Sequence, residues 1–200
     1  MARCYSGAMA RLKPPSPSKV RTKVWIISDA RNDAGLERAL AKLPRGSGLI
    51  FRHYHLPPAK RRTRFAALAR LARRYGHVVA LAGDARTARR WGADLAYGSP
   101  DALAGGPAWP RLVTVHSLHE LARARRADAV LLSPVFATRS HPGAHGLGPL
   151  HFRLLAARAS VPVIALGGMD RHRAQRLKWP NWAAIDAFCG EATRWNPVDS

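Results

Sequence analysis

Apolar residues fall along this chain in short runs that alternate with longer stretches of helical period. Val24–Ser28 reads as a strand with Asp29 at its end, and Ala34–Leu43 reads as a helix with Asp33 placed to cap it. Gly48–His53 is a second apolar run. Pro57-Pro58 opens a long helix, Ala59–Tyr75, with Phe65, Leu68, Leu71 and Ala72 on one face and Gly76 as its stop. His77–Leu81 is the third strand, Thr87–Trp91 a short helix and Leu95–Tyr97 the fourth strand. Gly98–Pro110 is too broken by Gly and Pro for a good helix. Leu112–Val115 and Leu118–Arg126 supply the fifth strand and its helix. The Gly92-Ala93-Asp94 joint before the fourth strand returns as Arg126-Ala127-Asp128 before the sixth.

The stretch from Ala129 to Asp170 carries the strongest pattern. A strand, Ala129–Leu132, runs through Ser133-Pro134-Val135-Phe136 into a loop rich in hydroxyls, His and Gly, Ala137–Gly148. A helix follows at Pro149–Ala159, then a strand at Val161–Leu166 ending on Gly167-Gly168. Arg171–Lys178 is the next helix and Trp182–Ala187 the eighth strand. Eight strands alternating with helices predict a single α/β domain, a (β/α)8 barrel, with the fourth and eighth helices short or missing. Residues 1–21, with Pro14, Pro15, Pro17 and scattered basic residues, are expected to be a disordered basic tail, leaving 22–200 as the barrel domain.

Composition changes this picture little. A hydrophobic content of 47% suits an ordinary globular core. No run of 18 apolar residues occurs, so no membrane partner is expected. Cys4 and Cys189 read as free thiols of a cytoplasmic protein. The net charge of +21 is mostly arginine spread along helices among Ala and Leu, the look of solvated faces; an anionic substrate is the second reading. No aromatic-basic motif of the usual nucleic-acid families is present, and nucleic acid is not expected as a partner. Histidine spacing fits no zinc site, and the glycines fit no Walker or dinucleotide fingerprint.

The candidate chemistry sits at the carboxyl ends of strands, where α/β folds place their ligands. Gly167 and Gly168 follow the seventh strand, where backbone N–H groups can approach a phosphate with no Cβ in the way; a plain tight turn is the alternative. His116, in Thr114-Val115-His116-Ser117, can move protons near neutral pH. Its alternative is a ring that caps the next helix or braces Ser117. Asp84 suits either a metal ligand or the N-cap of the helix that follows it.

Pro134-Val135-Phe136-x-Thr138-x-Ser140-His141-Pro142-Gly143, then Leu147-Gly148, then Val161-Pro162-Val163-Ile164-Ala165-Leu166-Gly167-Gly168-Met169, resembles the thiamine phosphate synthase / thiazole tautomerase (TenI) family. The resemblance extends through Val115-His116-Ser117-Leu118 and faintly to Trp25–Asp29. It implies thiamine phosphate formation, in which pyrimidine pyrophosphate loses pyrophosphate to the nitrogen of a thiazole phosphate. The implied roles are Arg52, Thr114, Thr138, Ser140 and His141 on the phosphates, with His141 where the synthases carry Lys and also counted, with His116, as catalytic. Gly167 and Gly168 would hold the thiazole phosphate, and Asp84 with Asp101 would bind Mg2+. Ile50, Tyr54 and Gly83 depart from the synthase pattern, and Asp186-Ala187-Phe188 stands near the place after the eighth strand where the family often has Ser. A tautomerase using His116 without metal, and a non-catalytic barrel binding phosphorylated ligands, are the alternatives. Small phosphorylated molecules are the implied partners, and a homo-oligomer is compatible with the sequence.

Overall fold

The structure is a computed structural model that describes residues 22–124, 126–138 and 146–189. Eight strands pair in parallel and in chain order: β1 (Val24–Ile27), β2 (Gly48–Phe51), β3 (Val78–Ala82), β4 (Leu95–Gly98), β5 (Arg111–Val115), β6 (Ala129–Leu132), β7 (Val163–Ala165) and β8 (Trp182–Ala184). Val24 pairs with Trp182, which closes the barrel. Around it run α1 (Leu36–Lys42), α2 (Pro58–Arg74), α3 (Ala85–Trp91), α4 (Leu118–Arg123), α5 (Gly148–Ala156) and α6 (Arg171–Leu177). Among the described residues no helix joins β4 to β5 or follows β8. The expected tail lies outside the described residues.

The period of two along each strand sorts side chains into two cores. Trp25, Ile27, Ile50, Leu95, Leu112, Leu131 and Ile164 pack together inside the barrel. Val24, Ile26, Leu49, Phe51, Val79 and Leu81 pack outward under the helices with Phe65, Leu68 and Phe152. Trp25 also sets a neighbour's identity: a Cβ on its strand partner Gly48 would lie 2.1 Å from the indole. No helix of the described residues is long and apolar enough to cross a membrane.

Several boundaries differ from the sequence reading, for visible reasons. Asp33 caps no helix. A 3-10 turn over Ala30–Gly35 precedes α1, and Asp29 caps that turn, with the Asp29 N–H donating to Asn32 Oδ1 at 2.8 Å. The Asp33 carboxylate goes instead to His53 Nε2 at 2.8 Å and to Arg64 at 2.6 Å. β2 stops at Phe51 because His53 turns into left-handed backbone with φ +42. The strand expected at Val161–Leu166 is shorter, since Pro162 has no N–H to give.

The arginine excess is partly structural. Arg61, Arg73, Arg111, Arg153 and Arg173 each donate to backbone carbonyls at element ends or loops. A guanidinium on an orphan carbonyl satisfies an acceptor that would otherwise need water.

Candidate active site

A cavity of about 940 Å³ opens at the carboxyl ends of the strands. Residues at or just beyond the ends of β1, β2, β4, β5, β6, β7 and β8 line it; none from the end of β3 does. Of the sequence candidates, Arg52, Thr114, His116, Thr138, Gly167 and Gly168 line it together. Ser140 and His141 lie outside the described residues.

His116 is held by both its backbone and its ring. Its N–H donates to Glu120 Oε2 at 2.7 Å, while Ser117 caps α4 by accepting from the Glu120 N–H at 3.2 Å. The ring therefore neither caps the helix nor braces Ser117. Its Nδ1 lies 2.9 Å from the Ser133 carbonyl and 3.2 Å from Ser133 Oγ. A carbonyl only accepts, so the neutral ring carries its proton on Nδ1 and keeps the Nε2 lone pair free. His116 lines the mouth, and the Ser133 carbonyl is placed to stabilise an imidazolium.

Gly167 and Gly168 adopt φ +93 and +59. The Phe136 N–H donates to the Gly167 carbonyl at 3.1 Å and the Val135 N–H to the Leu166 carbonyl at 2.8 Å, which zips the loop after β6 onto the end of β7. The fit is close: a Cβ on Gly167 would be 2.6 Å from Pro134 Cα, and one on Gly168 2.6 Å from the Ala137 carbonyl oxygen. Packing as well as backbone conformation requires glycine at both positions. Neither glycine N–H has a backbone partner among the described residues, so both remain available to an acceptor.

Arg52 reaches the mouth from beyond β2. Its N–H donates to Ser28 Oγ at 2.8 Å, and Ser28 Oγ lies 2.7 Å from His53 Nδ1. With Asp33 accepting from His53 Nε2, this buried relay pins the end of β2 to the end of β1. Burial lowers the His53 pKa against the opposing pull of Asp33. Burial tends to raise the Asp33 pKa, but hydrogen bonds from His53 and Arg64 outweigh it and leave it lowered. The Arg52 guanidinium lies 5.7 Å from the Tyr54 ring centroid and 3.8 Å from Asp29 Oδ2. Tyr97 and Thr114 also line the cavity, and burial pushes the Tyr97 phenol up. A neutral phenol and an alcohol therefore face the cavity floor.

The two metal candidates are placed apart from this mouth. Asp84 is exposed and caps α3, taking the Thr87 N–H and Thr87 hydroxyl on its two oxygens at 2.8 Å each. The Thr87 N–H bond is the main cause of its lowered pKa. Asp101 pairs with Arg123 and is largely exposed. Among the described residues no three His, Cys, Asp or Glu side chains gather as a metal site. Arg61 occupies the ground between β2 and β3, donating to the carbonyls of Arg52 at 2.7 Å and Ala82 at 2.6 Å. These residues as placed do not form a Mg2+–pyrophosphate cradle, which needs oxygen ligands converging on one point. Asp186 does line the cavity, with Arg31 Nη1 3.5 Å from its carboxylate to offset its repulsion of an anion.

Sequence reasoning missed Tyr97, Ser133 and Arg173, which also line the cavity. Nothing in a linear pattern separates the inward Arg173 from the outward arginines of the same helix; only the fold does.

Fold and mouth define a (β/α)8-barrel protein with a polar site over the carboxyl ends of its strands. The family model described as thiamine monophosphate synthase matches residues 24–186, and the chain belongs to that family, whose field is thiamine biosynthesis. A protein of Aquifex aeolicus (strain VF5) named "Putative thiamine-phosphate synthase 2" is 35% identical over 65 residues, a match spanning 30% of this chain and 35% of that protein. The thiamine phosphate pyrophosphorylase of Bacteroides thetaiotaomicron superposes with TM-score 0.58 at 15% identity, covering 88% of this chain and 90% of that one. FabK from Thermotoga maritima gives TM-score 0.64 at 14% identity, covering 84% and 58%. At such identities these two likenesses speak for the barrel alone.

Proposed function

We propose that the chain catalyses a metal-independent proton transfer on a phosphorylated thiazole, a tautomerase step within thiamine biosynthesis. One observation carries this reading: His116 lines the mouth with its Nδ1 tied to the Ser133 carbonyl, which leaves the Nε2 lone pair of the neutral ring open to a substrate. Nε2 takes a proton from one ring position, and the imidazolium returns it at another. The Ser133 carbonyl stabilises the charged ring in between. The hydroxyls of Tyr97 and Thr114, which line the same cavity, would donate to a heteroatom of the substrate ring. The free N–H groups of Gly167 and Gly168 take the phosphate.

Coupling of a pyrimidine pyrophosphate to thiazole phosphate, the first expectation from the sequence, is the second reading. Thr138 and Arg52 at the mouth and the family description favour it. It asks for a metal-stabilised polyanion, and the placement of Asp84 and Asp101 speaks against that. Assaying both reactions with Mg2+ and with a strong chelator separates the readings. Tautomerisation at equal rates in both buffers, with no coupling, is the expected result. Coupling that needs Mg2+ overturns the proposal.

A further inference from the structure

Arg173 stands in the first turn of α6, directly beyond the glycine turn, and lines the mouth. Its Nη1 donates to the Gly168 carbonyl. Its guanidinium carbon lies 5.3 Å from the centroid of the Phe136 ring. Its Nε is 3.8 Å from Asp170 Oδ2, and the other oxygen of Asp170 accepts the Arg173 N–H at 2.8 Å. Phe136 is itself tied to Gly167 through its backbone N–H. An aromatic face, a carbonyl and a carboxylate thus hold the guanidinium, while Nη2 has no partner among the described residues. A fixed planar fork beside two free backbone N–H groups matches the acceptor geometry of a phosphate ester.

We infer that Arg173 is the cation that holds the substrate phosphate at the Gly167–Gly168 turn. The chain then tells a phosphorylated thiazole from the free alcohol through a side chain of α6 together with backbone N–H groups. Phe136 is a positioning residue for that fork. This rests on the reading of a phosphorylated thiazole as ligand, and it does not depend on which reaction follows.

Calorimetric titration of full-length protein with thiazole phosphate, and with the corresponding thiazole alcohol, tests it. Wild type should bind the ester more tightly than the alcohol. Arg173→Gln should weaken the ester roughly 10–100-fold, the usual worth of a charge-assisted hydrogen bond, and leave the alcohol unchanged. Arg173→Lys should fall between, because it keeps the charge and loses the fork. A melting curve on each variant guards against misfolding. Wild type with no preference for the ester, or an Arg173→Gln protein that keeps the wild-type ester-to-alcohol ratio, overturns the inference. Arg173-dependent ester binding with no proton transfer in wild type retains the clamp and removes the tautomerase reading. Normal proton transfer with Arg173-independent ester binding does the reverse.

Discussion

Replacing Gly167 by Ala should unfold the mouth before it affects any ligand. Two costs add. A residue with Cβ in left-handed backbone costs about 1–2 kcal/mol, and Gly167 sits at φ +93. The new Cβ would also meet Pro134 Cα at 2.6 Å and Pro134 Cβ at 2.7 Å, so the loop after β6 must move. Overpacking of this kind adds about 1–3 kcal/mol. Gly46 supplies a control, because it has φ +83 with nothing within 4 Å of its would-be Cβ. Gly46→Ala therefore reports the backbone cost alone. In a chain of this size about 1 kcal/mol moves the melting temperature by ~2–4 °C. Gly167→Ala should then melt about 2–12 °C below Gly46→Ala. Scanning calorimetry on both, with urea midpoints as a check, gives the comparison. Equal melting temperatures would refute the reasoning: the loop would yield freely, and packing would not require glycine at this turn.

Stability should fall as pH drops from about 7 toward 5, since burial lowers the pKa of both His53 and His77 below their ordinary value. The unfolded chain then binds protons first, near ~6.5, and the slope approaches at most ~1.4 kcal/mol per pH unit for each histidine. Urea midpoints at pH 7.5, 6.5 and 5.5 measure it; a midpoint that rises on acidification contradicts it, and His53→Gln should flatten the slope. The lowered pKa of Asp33 adds a further loss only below about pH 4. Asp84→Ala should cost about 0.5–2 kcal/mol as a lost cap, and Asp84→Asn much less. Both should turn over like wild type, and a steep loss of turnover in Asp84→Asn, which keeps the cap, would restore the metal reading.

The barrel was legible because its strands are apolar runs that end in turn residues at a regular period, and that signal survives arginine-rich helices. The joints were legible for the same reason: Asp94 and Asp128 each accept a strand N–H, from Val79 at 3.0 Å and Arg111 at 2.8 Å. Asp33 was misread since its carboxylate is claimed by His53 and Arg64, partners 20 and 31 residues away. Yet Asp29-x-x-Asn32 was there to be read as the true cap. At the mouth, His116 and the glycines stand out by residue type and place at strand ends. Arg173 and Tyr97 do not, since their roles depend on which way a helix or strand faces. Asp84 fits a cap and a metal ligand equally in one dimension, and only its two bonds to Thr87 show what holds it.

In the proposed reaction His116 Nε2 moves the proton. The most direct test is the single-turnover rate of thiazole phosphate tautomerisation in His116→Asn against wild type, with product affinity measured alongside. A loss of roughly 10²–10⁴-fold, the usual worth of a general acid or base, is expected, with affinity nearly unchanged if the phosphate sits at the proposed Gly167–Gly168 turn. A rate within a few-fold of wild type would contradict it.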